Sequence, residues 1–171
     1  MRKILLIVVF CITVVMSSNA QDIFAAARIN NIELVSKLID GGVKLDTTNG
    51  RGFTPLTLAV YNDSYEVAKL LIEKGADVNA QDMSGNTALM GAVFKKHLRM
   101  IDLLLNNKAN VNQKNFNEAT ALIFAATFGQ KEIVHLLLVK GADKTMKDKS
   151  GKTALDHATF QENNELVDLL K

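Results

Sequence analysis

Apolar and polar positions in this chain recur in register every 33 residues. Each unit opens with Thr and a short apolar stretch, seen in Thr54-Pro55-Leu56, Thr87-Ala88-Leu89, Thr120-Ala121-Leu122 and Thr153-Ala154-Leu155. Threonine suits a helix start, because its hydroxyl accepts from an otherwise unpaired backbone N–H. Pro55 falls at the first helical position, where its missing donor costs nothing. The spacing predicts a first helix of about two turns with Leu56 and Ala59 on one face. Ala92, Ala125 and Ala158 repeat the Ala59 column. A polar break follows, such as Asn62-Asp63-Ser64 or Phe128-Gly129-Gln130. The second predicted helix carries Val67, Leu70 and Leu71 inward at i, i+3 and i+4, and Ile133, Leu136 and Leu137 repeat that pattern. Gly75 and Gly141 read as left-handed caps closing it.

Further columns keep the same period. The Leu pairs ending at Leu71, Leu104, Leu137 and Leu170 align, as do Ala76-Asp77, Ala109-Asn110 and Ala142-Asp143, and Asn79 with Asn112. Stepping back 33 residues from Ala59, Leu71 and Gly75 lands on Ala26, Leu38 and Gly42, a degenerate first unit. Two positions depart from the pattern. Lys108 stands in the column of Gly75 and Gly141, and Glu118 in that of Gly85 and Gly151. A left-handed Lys108 costs roughly 1–2 kcal/mol, which makes the middle of the array its softest part.

A unit of this length with Thr-(Pro)-Leu-x-x-Ala, a Leu-Leu pair, Gly-Ala-Asp and Val-Asn resembles the ankyrin-repeat family. The resemblance covers residues 21–171. It implies an all-α solenoid of stacked helix–turn–helix units with projecting hairpin loops and one concave side. A single unit cannot bury its apolar faces, so neighbours complete one another's core and the ends need polar caps. The expected division is an N-terminal cap at 21–47, repeats at 48–80, 81–113 and 114–146, and a capping repeat at 147–171.

The first twenty residues follow another pattern. A basic Met1-Arg2-Lys3 precedes an apolar run of 13 residues, Ile4 to Met16, then Ser17-Ser18-Asn19-Ala20. This reads as a secretory signal peptide cut between Ala20 and Gln21; the alternative, a retained anchor, falls short of the ~20 residues a spanning helix needs. Cleavage removes Arg2, Lys3 and Cys11, leaving 18 basic against 18 acidic residues and no thiol. A neutral chain gives no argument for nucleic acid or for a membrane surface after cleavage. The expected location is periplasmic or secreted, and the unbound chain is expected to be a monomer.

No constellation for catalysis emerges. His97, His135 and His157 have no i, i+4 partner of metal-ligand type, Gly41-Gly42 lacks a following Lys-Ser/Thr, and no Gly-x-Ser-x-Gly occurs. Neither a catalytic residue, a metal nor a cofactor is expected. The Lys95-Lys96-His97-Leu98-Arg99 cluster reads as a solvated inter-helix loop or as a contact for an acidic partner.

The expected function is binding of another protein. In the family the resemblance points to, partner-contacting positions lie at the hairpin tips and on the exposed side of the first helix. Carried onto this chain, they place Phe53, Met83, Phe116, Ala119 and Lys149 at tips, and Tyr61, Phe94, Lys95, Phe128 and Phe160 on helices. Tyr61, Phe94 and Phe160 share one column, so an exposed aromatic row is expected there, and such rows mark interaction surfaces. The resemblance extends to a bacterial exported group, some of whose members are implied in supporting catalase and others in restraining an exported enzyme. The alternative is a small-molecule or haem carrier, with Met83 and His157 as candidate axial ligands.

Overall fold

The computed structural model describes residues 23–171; the expected signal segment and the Ala20–Gln21 junction lie outside the described residues. Within them the chain forms five helix pairs. They are α1 (23–28) with α2 (Ile32–Asp40), α3 (Pro55–Tyr61) with α4 (Tyr65–Glu73), and α5 (Ala88–Lys95) with α6 (Leu98–Asn106). Next come α7 (Ala121–Thr127) with α8 (Lys131–Val139), and α9 (Ala154–Phe160) with α10 (Asn164–Leu170). The expected all-α solenoid is what forms. No helix among the described residues is long and apolar enough to cross a membrane.

The first helices α3, α5, α7 and α9 each start on a threonine whose hydroxyl accepts from the backbone N–H three residues on. The four distances, from Thr54, Thr87, Thr120 and Thr153, lie between 3.1 and 3.3 Å. At α9 this becomes a full capping box, with the Asp156 carboxylate accepting from the Thr153 N–H.

The helices form two layers. First helices pack on first helices (α3 on α5, α5 on α7, α7 on α9), and second helices on second helices. The first-helix layer is the tighter one. Its Ala59, Ala92, Ala125 and Ala158 are wholly buried, and an alanine lets neighbouring backbones come close. Closer spacing in one layer than in the other bends the stack, with the concave side on the first helices. One core runs through all five pairs. Of each Leu pair, the second member (Leu71, Leu104, Leu137, Leu170) is fully buried, while the first is only partly covered.

Left-handed residues recur with the period. Gly42, Gly75, Lys108 and Gly141 have φ between +67° and +92° after the second helices. Gly52, Gly85, Glu118 and Gly151 are left-handed at the tips too, with φ between +56° and +76°, so both departures from glycine keep the backbone rather than rearrange it. A third column, Asn30, Asp63, Lys96, Gly129 and Glu162, turns the chain between the two helices of each pair.

Candidate functional site

The four hairpin tips are copies of one device. Asn49, Asp82, Asn115 and Asp148 each accept two backbone N–H groups, two and four residues on, through Oδ1. Consecutive tips are then joined backbone to backbone. The N–H groups of Met83, Phe116 and Lys149 donate to the carbonyls of Arg51, Ser84 and Asn117 at 2.9–3.2 Å. Below the tips a polar ladder repeats the linkage. Asp46, Asn79 and Asn112 accept from the N–H of Asp77, Asn110 and Asp143, and the Asn79 and Asn112 amides donate onward to Lys108 and Gly141.

The tips and the first helices share one face, and most of the expected contact residues lie on it. Met83, Phe94, Lys95, Phe116, Phe128, Lys149 and Phe160 are exposed. Three expectations need correction. Ala119 was expected to face outward at a tip; it is buried under its own turn, its N–H held by Asn115. Phe53 and Tyr61 are only half exposed, because their rings stack on each other at 5.4 Å. Tyr61 also leans over the bare backbone of Gly91 in the next unit. Burial first, and the Asp82 carboxylate second, raise its hydroxyl above the ordinary tyrosine value.

The single aromatic row does not form. Thr127 interrupts the shared column, and Phe94 turns instead to Phe128, edge to face at 5.4 Å. Phe128 in turn meets Phe124 at 6.2 Å, a residue the column reading left out. Phe94 and Phe128 remain 49% and 44% exposed, so this cluster presents ring surface to solvent. Phe160 stands apart, 79% exposed, with the Lys152 ammonium 5.1 Å from its ring centre.

Two cavities open on this face. The smaller, about 160 Å³, lies beside Phe124 and Phe128 and is lined also by His157 and Asp148. There His157 Nε2 is 2.7 Å from Asp148 Oδ2. Burial opposes the charge on Asp148, but hydrogen bonds from His157 and from the N–H groups of Lys152 and Ser150 outweigh it. Its carboxyl is therefore held below the usual range. A carboxylate only accepts, so Nε2 carries the proton. Iron ligation through Nε2 would break this bond. Met83 is no second ligand, since its tip lies two units away, roughly 20 Å at helix spacings of about 10 Å. The larger cavity, about 700 Å³, lies beside the Phe53–Tyr61 stack and is edged by Arg28, Arg51 and Lys95.

The basic cluster at 95–99 is divided by the fold. Lys95 reaches this groove, Lys96 takes the left-handed turn, and Arg99 covers the Tyr65 ring at 4.3 Å. His97 Nδ1 is 3.0 Å from the Val60 carbonyl oxygen, so its role is to join two units. His135 is exposed on α8. No group of three or more His, Cys, Asp or Glu side chains positioned for a metal occurs among the described residues.

A sequence profile described as ankyrin repeats (3 copies) matches residues 23–115 and again 89–171. The chain belongs to the ankyrin-repeat family. Ankyrin repeats are generally protein–protein interaction modules, and proteins built from them are typically binding scaffolds rather than enzymes. Among curated proteins nothing matches this ankyrin chain.

Proposed function

We propose that this ankyrin protein is exported and works by holding another protein on its concave side, as a scaffold, inhibitor or helper of a protein of the cell envelope. The observation that carries the binding surface is the Phe94–Phe128 cluster, flanked by exposed Met83, Phe116 and Phe160 on one face. Large rings left in water on a face whose polar groups are already satisfied stand to gain about 25 cal/mol for each Å² a partner covers. Aromatic anchors of this kind dominate interface energetics. The rest of the face is pre-ordered by the tip ladder, which lowers the entropy cost of docking. Export is supported by the sequence of residues 1–20, whose basic start, short apolar run and small residues at Ser18 and Ala20 suit cleavage before Gln21.

The test combines Phe94→Ala and Phe160→Ala in one protein and measures capture of partners from an envelope extract. Loss of a specific captured protein with an unchanged melting temperature is the expected result. Undiminished capture, or collapse of the fold, would count against the rings as binding anchors.

A further inference from the structure

Three cations converge on the groove beside the Phe53–Tyr61 stack, although basic and acidic residues nearly balance over the chain, 20 against 18. Arg28 comes from α1, Arg51 from the first tip and Lys95 from the end of α5, so three successive units supply one each. All three are exposed, and none has an ion-pair partner among the described residues. By contrast Lys69, Lys114, Lys131 and Lys171 each lie within 4.0 Å of a carboxylate.

The groove itself has no Asp or Glu along its lining. Its own tip carries the neutral Asn49, where the second and fourth tips carry Asp82 and Asp148. Asp82, the carboxylate acting on Tyr61, is buried, and its oxygens are taken by the N–H groups of Ser84 and Asn86 and by the Asn86 amide. Like charges gathered with no carboxylate among the lining residues make a local positive potential that favours an anionic visitor.

The size and the rings narrow the visitor further. A volume of about 700 Å³ exceeds what one small anion fills, and the stacked rings offer apolar surface beside the cations. The first helices of successive units stand about 8–10 Å apart. An extended chain places alternate side chains on one side roughly 6.6–7 Å apart, close enough for long flexible Arg and Lys side chains to follow. We propose that this groove docks an extended acidic segment of the partner protein. Its carboxylates meet Arg28, Arg51 and Lys95, and an apolar side chain lies on the Phe53–Tyr61 pair. The inference rests on the reading of the concave side as protein-binding and adds the chemistry of what its N-terminal end accepts.

The probe is a fluorescent peptide of alternating Glu and Leu, titrated with the purified protein and followed by anisotropy, beside a peptide with Lys for Glu. The Glu peptide should bind, the Lys peptide should not, and affinity should fall as salt rises. Arg51→Glu combined with Lys95→Glu should weaken binding on the order of tenfold. Both residues are exposed, and circular dichroism checks that the fold is kept. Phe94→Ala/Phe160→Ala should leave the peptide affinity unchanged, which separates this groove from the aromatic cluster. Equal binding of both peptides, or no effect of charge reversal, overturns the proposal. So does displacement of the peptide by inorganic phosphate beyond the effect of matched sodium chloride, since that marks a simple anion site. If the peptide fails while partner capture still depends on Phe94 and Phe160, only the acidic-segment inference falls.

Discussion

The ring of Tyr61 fills the space that a side chain at position 91 would need: a methyl built on Gly91 would sit 2.6 Å from Tyr61 Cε2. Gly91 lies inside α5, where alanine would ordinarily stabilise a helix by about 1 kcal/mol. Here the methyl must push the ring off the Phe53 stack. Gly91→Ala should therefore bring no rise in melting temperature, and the near-ultraviolet dichroism of the tyrosine should change. A clear gain in stability would show that the ring swings aside freely.

Lys108 invites the opposite substitution. Its φ of +67° is the left-handed conformation, and its carbonyl is held by the Asn79 amide, so the backbone is committed to it. Lys108→Gly removes a side-chain strain of about 1 kcal/mol. For a chain of this size that corresponds to a rise of roughly 2–4 °C, measurable by calorimetry. A drop would mean that the lysine side chain contributes something this strain does not outweigh.

Asp148 predicts how the fold responds to acid. Its carboxyl is lowered in the folded state, so its contribution is fully present above the unfolded value of about 3.9 and is lost as pH falls through the folded value. Asp143 and Asp156 behave alike, held low by hydrogen bonds from Thr145 and Thr153 respectively. Stability should fall with pH in that acid window, and Asp148→Asn should make the fall shallower in urea melts at stepped pH. The tip itself should survive, because Asn49 and Asn115 make the same two bonds without charge. An unchanged slope would remove Asp148 from the acid response.

Gln130 is a local weakness. It is 7% exposed, and neither atom of its amide has a hydrogen-bond partner. In the same column Ser64 donates to the Arg28 carbonyl, His97 bonds Val60, and Asn163 accepts from the Leu166 N–H. A buried unsatisfied polar group costs about 1–3 kcal/mol. Gln130→Met, close in shape and apolar, should raise the melting temperature by several degrees, at roughly 2–4 °C per kcal/mol. Destabilisation would indicate that the amide is solvated after all.

Local signals were the legible ones. Thr54, Thr87, Thr120 and Thr153 announce helix starts because a cap acts over three residues, and the Gly75 column announces turns because only the backbone angle matters there. The column of Asn30, Asp63, Lys96, Gly129 and Glu162 is equally left-handed, yet it holds a single glycine and so left no such trace. Columns also say nothing about side-chain direction. Phe94 shares a helix position with Tyr61 and Phe160 but turns across to Phe128, and Phe116 lies against Gly85 of the preceding tip. The His157–Asp148 pair escaped because it joins a tip to a helix nine residues on, a span that helical spacing does not sample. The basic groove escaped because its three cations are far apart in sequence and meet only when α1, the first tip and α5 are stacked.

The backbone bonds between tips run from each unit to its immediate neighbour, Arg51 to Met83, Ser84 to Phe116, Asn117 to Lys149. Nothing in that ladder skips a rung. Loss of an end unit therefore leaves the remaining links intact, and the assembly frays from its tips inward like an opening zip. For a binding protein this means that the end units of the groove open more readily than its middle. A ligand gripping several rungs at once would fasten that stretch of the strip, and its hold would register as slowed amide exchange across the rungs it spans.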